Sequence, residues 1–335
     1  MGKKIIVPLF LLLGLITVLL VAQLNAILGD ISRSLARAPL GNAKPAYRVA
    51  LIYQNNNAAF WRQIRAGATA AAKGQPVYVN VMEEQHGQEL QLVDYLRLAT
   101  MARYDGLIVS GDDERIAPLI QAAWDAGIPT LMIAADLPDS ARLGYVGANN
   151  YRVGYVAGKT LLRQLGPAAE PQLAILSPLT GDNPQFSVAE AQKVFGFREA
   201  VSSRKPVVPI WEKSDPTLVD SLLIVRGLLR NHPGLNGIYA TYPEGTLAAA
   251  RVIQEQNAGA RLRLIGQGDS PAIRADIQAG ALGASIVEYP YQMGYAAVRE
   301  MLRYFREGRI NIANNIEVKV LDRANLRAAA RRGRP

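Results

Sequence analysis

The sequence predicts an α/β protein built from two doubly wound parallel-sheet domains, preceded by a membrane segment. Three observations predict it. From Tyr47 onward, short apolar runs rich in β-branched residues alternate with longer amphipathic stretches. The alternation falls into two sets of similar size, each with the length of an ordinary domain. Ahead of them, Ile5–Gly29 is a run of 25 residues without a charge, behind Lys3 and Lys4.

The first set predicts strands at Val49–Tyr53, Val77–Val81, Gly106–Val109, Thr130–Ile133 and Gly144–Val146. Helices are predicted between them at Phe60–Lys73, Glu89–Arg103 and Arg115–Ala126. The second set predicts strands at Leu173–Leu176, Val207–Trp211, Gly237–Ala240, Leu262–Ile265 and Ala284–Val287. Its helices are Tyr151–Leu165, Val188–Ser202, Thr217–Asn231, Gly245–Gln256 and Pro271–Ala279. A last helix at Tyr291–Glu307 precedes a strand at Ile316–Leu321. Near-continuous apolar strands separated by helices imply parallel sheets covered on both faces. In such sheets ligands bind outside the carboxyl ends of the strands, so two facing domains place a site in the cleft between them.

The uncharged N-terminal run is long enough to span a bilayer. It reads as a retained anchor over residues 5–26, ahead of a cleaved signal, because a cut after Ala26 has Leu24 two positions before it. Either way Lys3 and Lys4 stay in the cytoplasm and the body is exported to a periplasmic or extracytoplasmic location. Residues 30–46 read as a helical extension and a linker. The formal charge of +9 is misleading as a nucleic-acid signal, since five arginines lie within residues 323–334. That basic tail, 323–335, is expected to be a frayed, solvated end, and no nucleic-acid partner is expected.

Zero cysteines remove disulfides, thiolate metal sites and a thiol nucleophile. Two histidines, His86 and His232, make a histidine zinc site or a conventional hydrolase triad improbable. No catalytic residue, metal site or cofactor is expected. Gly144-Tyr145-Val146-Gly147 and Gly266-Gln267-Gly268 are glycine-rich turns, and neither forms the phosphate loop a dinucleotide enzyme places after its first strand. Asp112-Asp113-Glu114 reads as a solvated helix start rather than a metal site.

A run of segments, in order and at matching spacing, resembles the type I periplasmic binding proteins of the ribose/galactose branch. The segments are Tyr47–Ala68, Tyr104–Ser110, Ala126–Ile133, Val146–Gly158, Gly196–Ala200, Asn231–Ala240, Leu264–Asp269 and Ala284–Gly294. The resemblance covers about Tyr47 to Leu321. It implies two Rossmann-like lobes, 47–148 plus 289–316 and 149–288 plus 317–322, joined by three hinge crossings. It also implies capture of a small sugar, polyol or related ligand without chemistry, and delivery to an ABC transporter. The alternative is a membrane-tethered sensor reporting to a histidine kinase or chemoreceptor. A LacI-type regulator core shares this fold but needs a DNA-binding motif where the membrane segment stands.

The resemblance also points to ligand-facing residues. After the first strand, Gln54 and Asn57 offer amides, and Phe60 and Trp61 offer rings that stack on a sugar. Sugar binders carry Asp-Arg where Ala134-Ala135 stand, and Asp136 either replaces part of that pair or occupies a loop beside Pro138. Asn149-Asn150 matches the family pair whose second member touches ligand, with Asn149 free to cap the following helix. Near Ala191 the family's helical Arg is missing, a second lost charge contact. Tyr242 brings a ring and a hydroxyl, and Asp269 either accepts from the ligand or caps the next helix. Glu288 stands where many members have Gln, and a buried carboxylate there requires a cation or several donors. Arg62 and Arg152 are the partners considered for it, and an acidic cleft would favour an amine-bearing or polyol ligand.

Overall fold

The computed structural model describes residues 46–54, 58–84, 91–111, 113–167, 170–178, 188–202, 209–214, 217–311 and 313–332. The expected anchor and linker, Asn57 and His86 lie outside these residues. No described helix is long and apolar enough to cross a membrane.

The first sheet holds β1 (Tyr47–Gln54), β2 (Val77–Glu84), β3 (Gly106–Val109), β4 (Thr130–Ile133) and β5 (Gly144–Ala148). A late strand, β11 (Ala313–Ile316), completes it. Its order is β11-β5-β4-β3-β1-β2, and every pairing is parallel. The second sheet holds β6 (Leu173–Pro178), β7 (Ile210–Ser214), β8 (Gly237–Ala240), β9 (Arg263–Gln267), β10 (Ala284–Val287) and β12 (Lys319–Asp322). Its order is β12-β10-β9-β8-β6-β7.

Why these runs form buried strands is visible in β1. Val49 through Tyr53 are all buried, and alternate residues enter different cores. Val49, Leu51 and Tyr53 pack with Trp61 and Ile64, whereas Ala50 and Ile52 pack with Leu96 and Ile120. Helices on both faces therefore demand apolar residues at every position. These helices are α1 (Ala58–Ala72), α2 (Leu92–Met101), α3 (Ala117–Asp125) and α9 (Pro290–Glu307). Around the second sheet lie α4 (Asn150–Leu165), α5 (Val188–Ser202), α6 (Leu218–Asn231), α7 (Pro243–Glu255) and α8 (Pro271–Ala279), with α10 (Arg323–Arg332) last.

Three expectations need correction. The strand expected at Ile316–Leu321 is two strands in different sheets. Ala313-Asn314-Asn315 lacks the β-branched signature, so its pairing with β5 is not legible in composition. The second sheet is not wholly parallel, because β12 runs antiparallel along the edge at β10. The C-terminal tail is not frayed over its first part. Arg323–Arg332 is helical, Leu326 is buried in the second core, and the Asp322 carboxylate accepts from the Asn325 backbone at 2.9 Å.

The chain passes between the sheets at Ala148–Asn150, at Val287–Pro290 and at Ile316–Lys319. Two helix pairs flank these passages, and glycines set both. Gly67 on α1 faces the Tyr291 carbonyl, and Gly294 on α9 faces the Ile64 carbonyl. In the second unit Gly154 on α4 faces the Lys193 carbonyl, and Gly196 on α5 faces the Tyr151 carbonyl. The same Tyr-x-x-Gly-Tyr-x-Ala pattern carries both, at Tyr151–Ala157 and at Tyr291–Ala297. A Cβ at any of these glycines would overlap backbone, which cannot move aside as a side chain can.

We expect Gly154→Ala and Gly294→Ala each to lower unfolding free energy by about 1–3 kcal/mol in urea melts. Gly227→Ala, in α6 with open space where its Cβ would stand, should instead stabilise by roughly 0.5–1 kcal/mol.

Candidate functional site

In both sheets the strand order reverses beside the first strand, between β1 and β3 and between β6 and β8. Such points open a crevice at the carboxyl ends of the strands. At the carboxyl ends of the first sheet lies a cavity of about 180 Å³, bordered by Gln54, Trp61, Glu84, Ser110 and Ala135. Gln54 donates its amide to Glu84 at 3.0 Å, and the other Glu84 oxygen accepts from the Leu92 backbone at 2.6 Å. Trp61 is 4% exposed. It stacks on Tyr53 with ring centroids 4.0 Å apart, and Phe60 meets it edge-on at 5.5 Å. One face of the indole is therefore committed to the core, and its remaining edge forms the cavity wall. Beneath it the Tyr53 hydroxyl donates to Glu83 at 2.9 Å. Burial, then Glu83, pushes that phenol well up.

A second cavity, of about 390 Å³, lies where the chain first crosses between the sheets. Asp136 and Tyr145 border it from the first sheet, Asn149 and Asn150 from the crossing, and Ala189 and Gln192 from α5. Asn149 caps α4, accepting from the Arg152 backbone at 2.9 Å, and Asn150 stands on the cavity wall. Asp136 pairs with Arg142 at 2.6 Å. Burial raises its carboxyl, while Arg142 and the Leu137 amide work against that rise. A charged Asp–Arg pair thus exists here, made from residues six apart rather than from the adjacent positions 134 and 135. Ala134 takes the left-handed φ of 63°, with its carbonyl accepting from the Tyr145 hydroxyl at 3.0 Å.

The chemistry of the second sheet gathers beneath the second crossing, at Val287–Pro290. Lys193 on α5 is buried, with its ammonium 2.7 Å from Glu190 and 3.4 Å from the Thr241 carbonyl. The other Glu190 oxygen accepts from the Thr241 hydroxyl at 2.5 Å. Glu288, after β10, accepts from the Gln267 amide at 2.9 Å. Burial pushes the Glu288 carboxyl up. Lys193 opposes that rise, and Glu190 reinforces it. For Lys193 burial favours the neutral amine, but Glu190 and Glu288 outweigh it and the ammonium is held above its usual range. Two buried polar atoms in this region have no protein partner, Oε1 of Gln267 and the hydroxyl of Tyr239.

The candidates divide accordingly. Gln54, Trp61, Asp136 and Asn150 border the cavities, Phe60 braces Trp61, and Glu288 joins the buried cluster. Tyr242 does not face the cleft. Its ring packs at Gly245 and its hydroxyl meets Ser221 at 2.8 Å, inside the second core. Asp269 is exposed and grips Arg274 at 2.5 and 2.8 Å, while Ser270 caps α8. Glu288 takes its hydrogen bond from Gln267 rather than from Arg62 or Arg152, and Lys193 acts on it through its charge. The charge expected to be lost near Ala191 is present two positions on, as Lys193. Its signal was its place three residues before Gly196, on the buried side of α5. Among the described residues no group of acids and histidines is arranged to hold a metal ion.

Residues 49–309 match the periplasmic binding protein domain family. The chain belongs to the periplasmic binding proteins. It is similar to the ribose import binding protein RbsB of Escherichia coli strain K12, 21% identical over 280 residues, covering 84% of this chain and 92% of that one. Among solved structures it resembles GanP, a glucose-galactose binding protein from Geobacillus stearothermophilus, with a TM-score of 0.75 and 28% identity, covering 84% of this chain and 99% of that one. It also resembles a chain of a XylFII–LytSN complex, with a TM-score of 0.70 and 26% identity, covering 84% of this chain and 99% of that one. The ribose/galactose-like assignment drawn from the sequence therefore holds, and the family works in the periplasm or its extracytoplasmic equivalent.

A carboxyl raised in the folded state opposes folding once it ionises. Its cost is absent below the unfolded-state pKa, near 4.3, and full above the folded one. Glu288→Gln should therefore raise Tm at pH 8, and the gain should disappear as the pH falls to about 4. A lower Tm at pH 8 would show that the attraction to Lys193 outweighs desolvation.

Proposed function

We propose that this chain is an extracytoplasmic solute-binding protein that captures a small sugar-like ligand by closure of two lobes and presents it to an ABC importer. The observation that carries this reading is the cavity of about 390 Å³ bordered by residues of the first sheet, of α5 over the second sheet, and of the crossing between them. A ligand there touches both halves at once, and only three crossings join the halves, so binding and hinge closure are coupled. The lobes are 47–148 with 289–316, and 149–288 with 317–322.

The linings of the two cavities favour a hydroxyl-rich solute. Asn150 borders the larger one, and Gln54 and Ser110, which also donate and accept, border the smaller one, where Trp61 supplies an apolar edge for a sugar ring. Relatives named for ribose import and for glucose-galactose binding cover nearly their whole length, which favours import. The XylFII–LytSN complex supports a second reading, docking of a protein partner that senses the loaded state.

Calorimetry and X-ray scattering on the folded protein test the first reading. A bound sugar should shrink the radius of gyration. Asn150→Ala and Trp61→Ala should each weaken that sugar by about tenfold or more, the loss of roughly 1.4 kcal/mol. Scattering unchanged by every sugar tried, or turnover of a bound one, would remove the reading.

A further inference from the structure

We propose that the amino-terminal end of the first sheet is a docking face for an anionic lipid surface. This goes beyond solute capture, and neither reading depends on the other.

Topology singles the face out. Every pairing in the first sheet is parallel, so the strands begin at one end and finish at the other, where Gln54 and Ser110 border the smaller ligand cavity. At the beginning end lies a separate cavity of about 670 Å³, bordered by Tyr47, Tyr104, Tyr304 and Phe305. It opens where α2, α3 and α9 end. A protein docked by this end keeps its ligand side free.

Apolar exposure is the second argument. Helices α2 and α3 pack together, with Leu96, Ala99, Ile120 and Ala123 in one core. Large apolar side chains nevertheless remain exposed on both, Leu98 at 46%, Met101 at 80% and Trp124 at 43%. Leu98 and Met101 are three residues apart and share one stripe of α2. Rings beside exposed aliphatic side chains and cations suit the lipid–water interface, where Tyr and Trp settle at headgroup level.

Charge is the third. Arg48, Lys73, Arg103, Arg306 and Arg309 stand at this end against Asp105, Asp125 and Glu307, five cations to three anions. Two of the anions are already engaged. Asp105 accepts from the Arg48 backbone at 2.6 Å, and Glu307 pairs with Arg309 at 3.2 Å. Lys73, Arg103 and Arg306 are exposed and make no ion pair among the described residues. Exposed cations of this kind complement phosphate headgroups.

The path of the chain is the fourth. Tyr47 borders the cavity, so the chain enters its folded body at this face. Residues 5–29 are uncharged, and only residues 30–46 separate them from Tyr47. At full extension that stretch reaches no more than about 60 Å. With the uncharged run in a bilayer, this is the end held close to lipid, at raised effective concentration.

A fluorescent reporter tests the face. The chain has no cysteine, so Ala126→Cys accepts a single fluorophore at the cavity rim. The full chain is reconstituted in nanodiscs of phosphatidylcholine alone, or of phosphatidylcholine and phosphatidylglycerol in equal parts. In the anionic discs the label should be quenched by brominated lipid and shielded from iodide, and raised salt should reverse both. Arg103→Glu combined with Arg306→Glu should lower the lipid quenching at least about fivefold. A label at Val219→Cys, on α6 and 66% exposed, should stay open to iodide in both discs. Quenching equal in neutral and anionic discs, or unmoved by the paired charge reversal, would overturn lipid docking and leave solute binding intact. Shielding from iodide that rises with protein concentration and brings no lipid quenching would assign the face to a second copy of the chain, and would overturn the proposal as well.

Discussion

The backbone contact between Gly154 and the Lys193 carbonyl governs the second half of the molecule. Two helices that meet without side chains between them cannot slide or roll. Fixing α5 against α4 in this way fixes the direction in which Lys193 leaves the helix, and with it the place of the ammonium. Glu190, one turn earlier on the same helix, is carried to the same side. The reciprocal glycine, Gly196 against Tyr151, closes the contact from the other helix of the pair. The polar groups beneath the second crossing are arranged around a lysine whose position is set by the absence of two methyl groups.

An ammonium with so little access to water survives only because its surroundings answer it. Glu190 is bonded directly, the Thr241 carbonyl lies at 3.4 Å, and Glu288 contributes its field. The arrangement is asymmetric in cost: replacing the whole group by apolar residues is tolerable in principle, whereas deleting one member strands the others. Such a cluster adds little to stability and much to definition, since each partner has one good geometry. The first half uses another device. Its Trp61–Tyr53–Glu83–Arg65 chain joins an aromatic stack to an ion pair, so the cavity wall is braced from behind.

Much of the fold was legible because strands buried on both faces leave continuous apolar runs that composition cannot hide. Gly106–Val109, Thr130–Ile133, Gly237–Ala240 and Ala284–Val287 appear in the structure with the bounds the sequence predicts. β11 was missed because its Ala-Asn-Asn start carries no strand signature and is fixed by its neighbour β5. The site was less legible. Asn149 was readable as a cap, since a favoured cap residue at a helix start is a local matter. The surroundings of Tyr242 and Asp269 were not legible, because they depend on long-range packing against Ser221 and on capture by Arg274. Arg142 and Glu190 went unseen because their partners are defined by the folded loops and helices rather than by family position.

The repeated Tyr-x-x-Gly-Tyr-x-Ala pattern bears on ancestry. Its two copies begin the helices that follow the first and second crossings, and each copy meets a glycine on the helix that follows the first strand of its own sheet. Trp61 and Glu190 precede those glycines by the same interval, as do Ile64 and Lys193. Two halves that share such spacing and contacts are what duplication of a half-length polypeptide leaves behind. On that view Trp61 of one half and Glu190 of the other are divergent descendants of one ancestral helix position.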